Sequence, residues 1–302
     1  MHRDRRGRGI RLAALMLGIA GTPSQSGSEA QTVVAAPLEK GVLPPSWVVL
    51  QSECKAAPAF RVHRYNPTFF ILRQSGCTHY EKPFLYVLVG TSEVLLVDTG
   101  APGANLSQAI DELLQGKLEG RPLLVVHSHG HGDHTAGDAA LRARPATRVI
   151  DATATAVAQF FGIQNWPIGT AEYDLGGRIV DIVAIPGHDS AHIAVYDRRT
   201  GILLTGDTLY AGRLYIRNHA AFRDSIERLV DFTRSRPIAH VFGGHIENTR
   251  TPFLDYPVGT MFQPEEHVLE LGRAHLLELQ DALHQMSTLE RRALRDFTVW
   301  PF

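Results

Sequence analysis

The sequence predicts a mixed α/β protein in which two β-sheets pack face to face with helices outside them. Three observations lead there. Short apolar runs of strand length alternate with amphipathic helical segments along the whole chain. The 302 residues are 44% hydrophobic, enough to bury a sizeable core as one large domain or two tightly packed halves. Strand-length runs end repeatedly in polar loops bearing His or Asp, after Val126, Ile185, Thr205 and Phe242, which is where a rigid scaffold presents functional groups. Periodicity does not fix the order of the layers.

The amino terminus reads as an address. Arg3, Arg5, Arg6, Arg8 and Arg11 precede the apolar run Leu12 to Ala20, and Ser28-Glu29-Ala30 offers a cleavage site before Gln31, the pattern of a secretory leader. A membrane anchor needs about 20 apolar residues, and this run is shorter. The expectation is export to the periplasm or beyond the cell, with no stable membrane insertion once residues 1–30 are removed.

After a Pro-containing linker, Trp47 to Gln51 and Thr68 to Arg73 read as strands. Phe84 to Val89 and Glu93 to Asp98 flank Gly90-Thr91-Ser92 as a hairpin. Leu106 to Leu118 has helical periodicity, and Pro122 to Val126 is the continuous apolar run of a buried strand. A helix from Thr135 to Arg142, a strand at Arg148 to Asp151 and a helix over Thr153 to Phe161 follow. Ile179 to Ile185, His192 to Tyr196 and Ile202 to Thr205 read as strands, Ala220 to Arg234 as an amphipathic helix, and Ala239 to Phe242 as a strand. Pro264 to Met286 reads as a long helix. The division is a leader 1–30, a catalytic domain 31–263, and a helical extension 264–302 packed on it.

A formal net charge of -1 gives the protein no general attraction to nucleic acid or an anionic membrane, so the expected partner is a small molecule. The cysteines are only two, Cys54 and Cys77. In an oxidising compartment they can bridge, and in the cytosol they stay free thiols. Their spacing is not that of a CxxC site. The 15 histidines stand out more, because imidazole is the commonest metal-binding side chain.

The chemistry concentrates in His127-Ser128-His129-Gly130-His131-Gly132-Asp133-His134, which contains His-x-His-x-Asp-His. In extended backbone His129 and His131 project to one side and can chelate one ion. Asp133 and His134, entering a helix, face a second position, with Gly130 and Gly132 allowing a tight bend. Candidates downstream complete both sets: His188 after Pro186-Gly187, Asp207 after Gly206, and His245 after Gly243-Gly244. A carboxylate such as Asp207 has two oxygens with which to serve two cations.

These motifs, with Asp98 in Val97-Asp98-Thr99-Gly100, resemble the metallo-β-lactamase superfamily over the span Asp98 to His245. The resemblance implies an αββα four-layer sandwich with the site at the edge between two sheets. It implies one metal on His129, His131 and His188, and a second on Asp133, His134 and His245. Asp207 would bridge them, as in the glyoxalase II and lactonase-like branches and unlike the specialised β-lactamases, and Asp98 would orient the histidine loop. Two divalent ions acidify a shared water and polarise a substrate oxygen, and Asp133 can also orient that water and pass on its proton. The donors suit zinc and permit iron, manganese or cobalt.

The expected activity is hydrolysis of an ester, lactone, thioester or amide of a small molecule. The rivals are an iron persulfide dioxygenase, a β-lactamase and a metal-binding protein without turnover. Tyr210, Arg213 and Tyr215 are candidate pocket residues, with exposed surface as the alternative. His127 is expected to pack at the strand end and His192 to be half-buried and satisfied. The tail is shorter than that of the glyoxalase II proteins.

Overall fold

The computed structural model describes residues 37–115 and 120–302. The expected leader, and the last residues of the helix expected to reach Leu118, lie outside them.

One sheet holds six strands in chain order, β1 (Phe60–Asn66), β2 (Phe69–Gln74), β3 (Phe84–Val89), β4 (Val94–Val97), β5 (Leu123–Val126) and β6 (Thr147–Val149). Neighbours run antiparallel as far as β4 and parallel from there. Parallel neighbours need crossovers, and the polar, helix-forming stretches between the strands supply them. Helix α1 (Leu106–Leu114), capped by the Asn105 side chain, joins β4 to β5. Two short helices, α2 (Gly132–Thr135) and α3 (Asp138–Arg142), join β5 to β6. Helix α4 (Ala154–Phe161) starts on a Thr153 cap and ends at Gly162 in the left-handed region.

The second sheet comprises β7 (Thr170–Asp174), β8 (Ile179–Ala184), β9 (Ile193–Asp197), β10 (Ile202–Gly206) and β12 (His240–Gly243), in the order β12-β10-β9-β8-β7. Its one parallel pair, β10 with β12, is bridged by β11 (Arg213–Ile216) and the long helix α5 (His219–Thr233). After α6 (Arg273–Gln285), the strands β13 (Arg292–Ala293) and β14 (Thr298–Pro301) form a small third sheet with β11.

Alternation along the strands builds three apolar layers. Ile71, Tyr86, Leu88, Leu95 and Leu124 of the first sheet meet Ile182, Val195, Leu204 and Phe242 of the second. The opposite face of the first sheet, with Leu85, Val87 and Val125, is covered by Ile110 of α1 and Leu141 of α3. The opposite face of the second, with Ala194, Leu203 and Val241, is covered by Phe222 and Ile226 of α5 and Leu276 and Leu279 of α6. The layers therefore run helix, sheet, sheet, helix, as the resemblance implied.

Several elements differ from expectation. Trp47 to Gln51 is not a strand: Trp47 plugs the core and stacks edge-on against Phe84, and the chain then makes a single 3-10 turn. The first strand is β1, and β7 and β11 were also unanticipated. The helix expected over Thr135 to Arg142 is broken into α2 and α3 at Gly137, where a side chain would lie 2.6 Å from the Thr99 carbonyl. The helix expected from Pro264 begins only at Arg273, and the tail ends in strands rather than helix. This tail shares its core with α5 and β11. Cys54 and Cys77 are joined by a disulfide, tying the 3-10 turn to the loop before β3.

Candidate metal centre

The seven predicted ligands leave the carboxyl ends of β5, β8, β10 and β12 and converge. His129 and His131 precede α2, whose first turn carries Asp133 and His134. Nε2 of His129 lies 2.9 Å and Nε2 of His188 lies 3.0 Å from Nδ1 of His131. On the other side, Nε2 of His134 and Nε2 of His245 are 3.2 Å apart. Asp133 Oδ2 lies 3.4 and 3.3 Å from those two nitrogens.

Asp207 stands between the groups. Its Oδ1 is 3.5 Å from His134 and 3.4 Å from His245, while its Oδ2 is 3.6 Å from His188 and 3.9 Å from His129. The donor atoms form two sets, His129-His131-His188 and Asp133-His134-Asp207-His245, each within 4.8 Å mutually, a spacing that the ligands of one small cation share.

The outer nitrogens of the rings decide what the inner ones offer. Nδ1 of His134 donates to Asp98 Oδ2 at 2.9 Å, Nδ1 of His188 to the Tyr215 carbonyl at 2.7 Å, and Nδ1 of His245 to the Glu81 carbonyl at 2.9 Å. Nδ1 of His129 meets the Ser128 hydroxyl at 3.1 Å, and that hydroxyl donates to Asp98 at 2.9 Å. With the proton held outside, each Nε2 turns a lone pair inward. Asp207 Oδ1 is buried without a hydrogen-bond donor. Converging lone pairs around a buried, unsatisfied carboxylate oxygen fit a pair of cations.

The electrostatics divide between the two sets. Burial alone would raise the pKa of Asp207, but His245 and His134 outweigh it and hold the carboxyl below its usual range. Burial, with the neighbouring histidines, pushes His129 well down. Both keep the forms that bind metal, whereas for His134 and His245 burial is outweighed by the facing carboxylates, which raise the pKa of both rings, so a cation entering the second set displaces protons from them. Glycine is required where the strand ends approach: a side chain at Gly244 would lie 2.5 Å from Asp207 Oδ1 and 2.9 Å from the His134 ring.

The sequence profile of the Metallo-beta-lactamase superfamily matches residues 83–245, more than half of the chain. The chain belongs to the metallo-β-lactamase superfamily. Among its relatives is a hydroxyacylglutathione hydrolase of Anaeromyxobacter dehalogenans (strain 2CP-C), 32% identical over 127 residues, 42% of this chain and 46% of the relative. Another of the same name, from Chromohalobacter salexigens, is 32% identical over 163 residues, 51% of this chain and 58% of the relative. The chain spans about half the length of the curated relatives it matches. The solved structure of a metallo-beta-lactamase from Pontibacter korlensis aligns with a TM-score of 0.53 at 16% identity, over 75% of this chain and 100% of that one, a likeness of fold.

In this superfamily member the centre opens into a cleft of about 290 Å³ lined by His131, Asp133, His188, Asp207 and His245 together with Tyr80, Glu81, Tyr210, Tyr215, Arg217, Glu247 and Phe302. Tyr210 and Tyr215 thus line the cleft. Tyr210 is buried, however, and its hydroxyl donates to Glu247 at 3.1 Å and to the Arg213 carbonyl. Arg213 is not in this cleft. It is buried between Glu247 and Asp255 and lines an adjoining chamber.

His127 is buried and bonded to Asp138 and the Ile150 carbonyl. His192 is fully buried rather than half-buried, and only its Nδ1 is partnered, by Thr208. Tyr80, Glu81, Arg217, Glu247 and Phe302 line the cleft without having been expected there. Glu247 follows His245 by two positions and carried a weak signal, whereas Phe302 carried none.

Proposed function

We propose that this superfamily member is an exported hydrolase that works with two bound divalent cations on an ester, lactone, thioester or amide of a small molecule. Asp207 carries the reading, because each of its oxygens faces a different ligand set. The donor set, nitrogen and oxygen without thiolate, supports zinc over softer metals. His129, His131 and His188 would hold one ion, Asp133, His134 and His245 the other, with Asp207 shared. Ions bound there would supply Lewis-acid polarisation of a carbonyl and a water acid enough to ionise near neutrality.

The chain's own residues do the remaining work. Asp98 and Ser128 fix the tautomers of His134 and His129. Asp133, partly open to the cleft, is placed to take a proton from the attacking water and give it to the leaving group. Tyr80, Tyr215 and Phe302 wall the substrate from bulk solvent. The hydroxyacylglutathione hydrolases among the relatives support a thioester within the substrate range. The Arg-rich, apolar amino-terminal pattern and the Cys54–Cys77 bridge support export.

Metal analysis of the purified protein tests this, beside assays against lactones, thioesters, β-lactams and phosphodiesters with and without chelator. We expect two zinc ions per chain, hydrolysis abolished in His131→Ala, and about one ion per chain in Asp207→Ala. One iron per chain with oxygen consumption on a persulfide would replace the reading with the dioxygenase. Full activity in metal-stripped His131→Ala would end it.

A further inference from the structure

His192 is fully buried, lines no part of the cleft and belongs to neither ligand set, yet its surroundings are those of the metal centre. Its ring lies against two ligands of the first set, with centroids 4.7 Å from that of His129 and 5.6 Å from that of His188. Its Nδ1 meets the Thr208 hydroxyl at 3.0 Å. Thr208 directly follows Asp207 and is itself fully buried, and its N–H donates to the Thr205 carbonyl at 3.0 Å, closing the turn that carries the shared carboxylate. A side chain at Gly206 would lie 2.6 Å from Nε2 of His192, so the ring sits directly against that turn.

The backbone beneath the ring is fixed as well. The His192 carbonyl accepts from the Ile185 N–H at 2.8 Å, closing the loop that carries His188, and the Ile193 N–H donates to the Ser128 carbonyl at 2.8 Å, next to His129. The imidazole therefore stands on a rigid support where the loops of His129, His188 and Asp207 meet.

Packing alone does not account for an imidazole in this place. A neutral ring carries one donor nitrogen and one acceptor nitrogen. Nδ1 can pair with the Thr208 hydroxyl in either tautomer, whereas Nε2 is buried with no hydrogen-bond partner among the described residues, and an unmet buried nitrogen carries a desolvation cost. A leucine or phenylalanine would fill the space without that cost. What the imidazole adds is the hydrogen bond to Thr208, and what that bond holds is the residue beside the carboxylate that both ligand sets face.

We infer that His192 is a positioning residue of the metal centre: through Thr208 it fixes the turn that aims Asp207 at both ligand sets, and its ring keeps His129 and His188 from turning out of the first. In this role His192 touches no substrate and moves no proton. The inference rests on the reading of the seven side chains as metal ligands.

A set of variants separates the hydrogen bond from the packing. Thr208→Val removes the hydroxyl at nearly constant volume, His192→Phe keeps a ring without nitrogens, and His192→Asn keeps an amide near the place of Nδ1. Zinc affinity, read by competition with a chelator of known affinity, should fall about tenfold or more in Thr208→Val and in His192→Phe. The double variant should lose no more than the worse of the two, because both break the same bond, and His192→Asn should recover most of the loss. With zinc saturating, kcat on an ester or thioester that the parent hydrolyses should fall in Thr208→Val while KM stays within about twofold, since neither Thr208 nor His192 lines the cleft. Melting temperatures of zinc-free samples show which variants fold, and Thr208→Val decides alone if His192→Phe does not. Zinc affinity within about twofold of the parent in folded Thr208→Val would overturn the inference and leave His192 a packing residue, and so would losses that add in the double variant. A parent protein that binds zinc but turns nothing over loses the hydrolase reading, while the affinities still judge His192. A parent that binds no zinc loses the metal reading and this inference with it, an outcome distinct from unchanged affinity in the variants.

Discussion

Asp98 adopts a φ of 70°, a left-handed conformation that costs a residue other than glycine about 1 kcal/mol. What offsets the cost is a set of three contacts: Oδ1 accepts from the Ser128 backbone N–H at 2.7 Å, and Oδ2 accepts from the Ser128 hydroxyl and from His134 Nδ1, both at 2.9 Å. One carboxylate thereby aims two of the histidines, one in each ligand set. Asparagine tolerates the same backbone region but lacks the charge and one acceptor. Asp98→Asn should therefore keep the fold and lower metal affinity about 10–100-fold, read by competition with a chelator of known affinity. Unchanged affinity would reduce Asp98 to a turn residue.

At the scale of elements, the disulfide matters because of what it ties down. Cys77 lies in the loop that goes on to Tyr80, Glu81 and Lys82 and then enters β3. A bridge spanning 23 positions stabilises by about 3 kcal/mol. Replacing both cysteines by serine should lower the melting temperature by roughly 6–12 °C and raise KM more than it lowers kcat, measured by calorimetry and steady-state kinetics. A melting temperature within a degree of the parent would show the loop to be held by packing alone.

The elements that sequence revealed are those whose pattern is imposed locally. The hairpin of β3 and β4, the crossover α1 and the amphipathic α5 each show their own periodicity. Strand β1 did not, because Phe-Arg-Val-His-Arg-Tyr-Asn lies at a sheet edge and puts Val62 42% exposed, so burial does not mark it. Trp47 misled for the opposite reason: a single large side chain plugging the core gave an irregular segment the look of a strand.

At the scale of the whole molecule, the convergence of the candidate ligands was legible because coordination chemistry dictates residue type and close spacing, as in His129 to His134. Of the cleft walls only Tyr210 and Tyr215 were, since Glu81, Glu247 and Phe302 are placed by tertiary structure and could serve as ordinary surface residues anywhere else. The same contrast predicts how the protein responds to metal removal. His129, His131, Asp133 and His134 follow β5 of the first sheet, whereas His188, Asp207 and His245 follow β8, β10 and β12 of the second, so cations held there would clamp the two sheets together along one edge. Metal present at about a thousand times its dissociation constant stabilises the folded state by about 4 kcal/mol, worth roughly 8–16 °C in melting temperature. Chelation should remove that increment. In hydrogen exchange the loosening should be confined to residues 128–134, 187–189, 206–208 and 243–246, while β2, β3 and β9, which contribute no ligand and lie in the apolar interior, keep their protection. Equal loss of protection in β2 and β3 would mean that the ions hold up the whole sandwich rather than its edge.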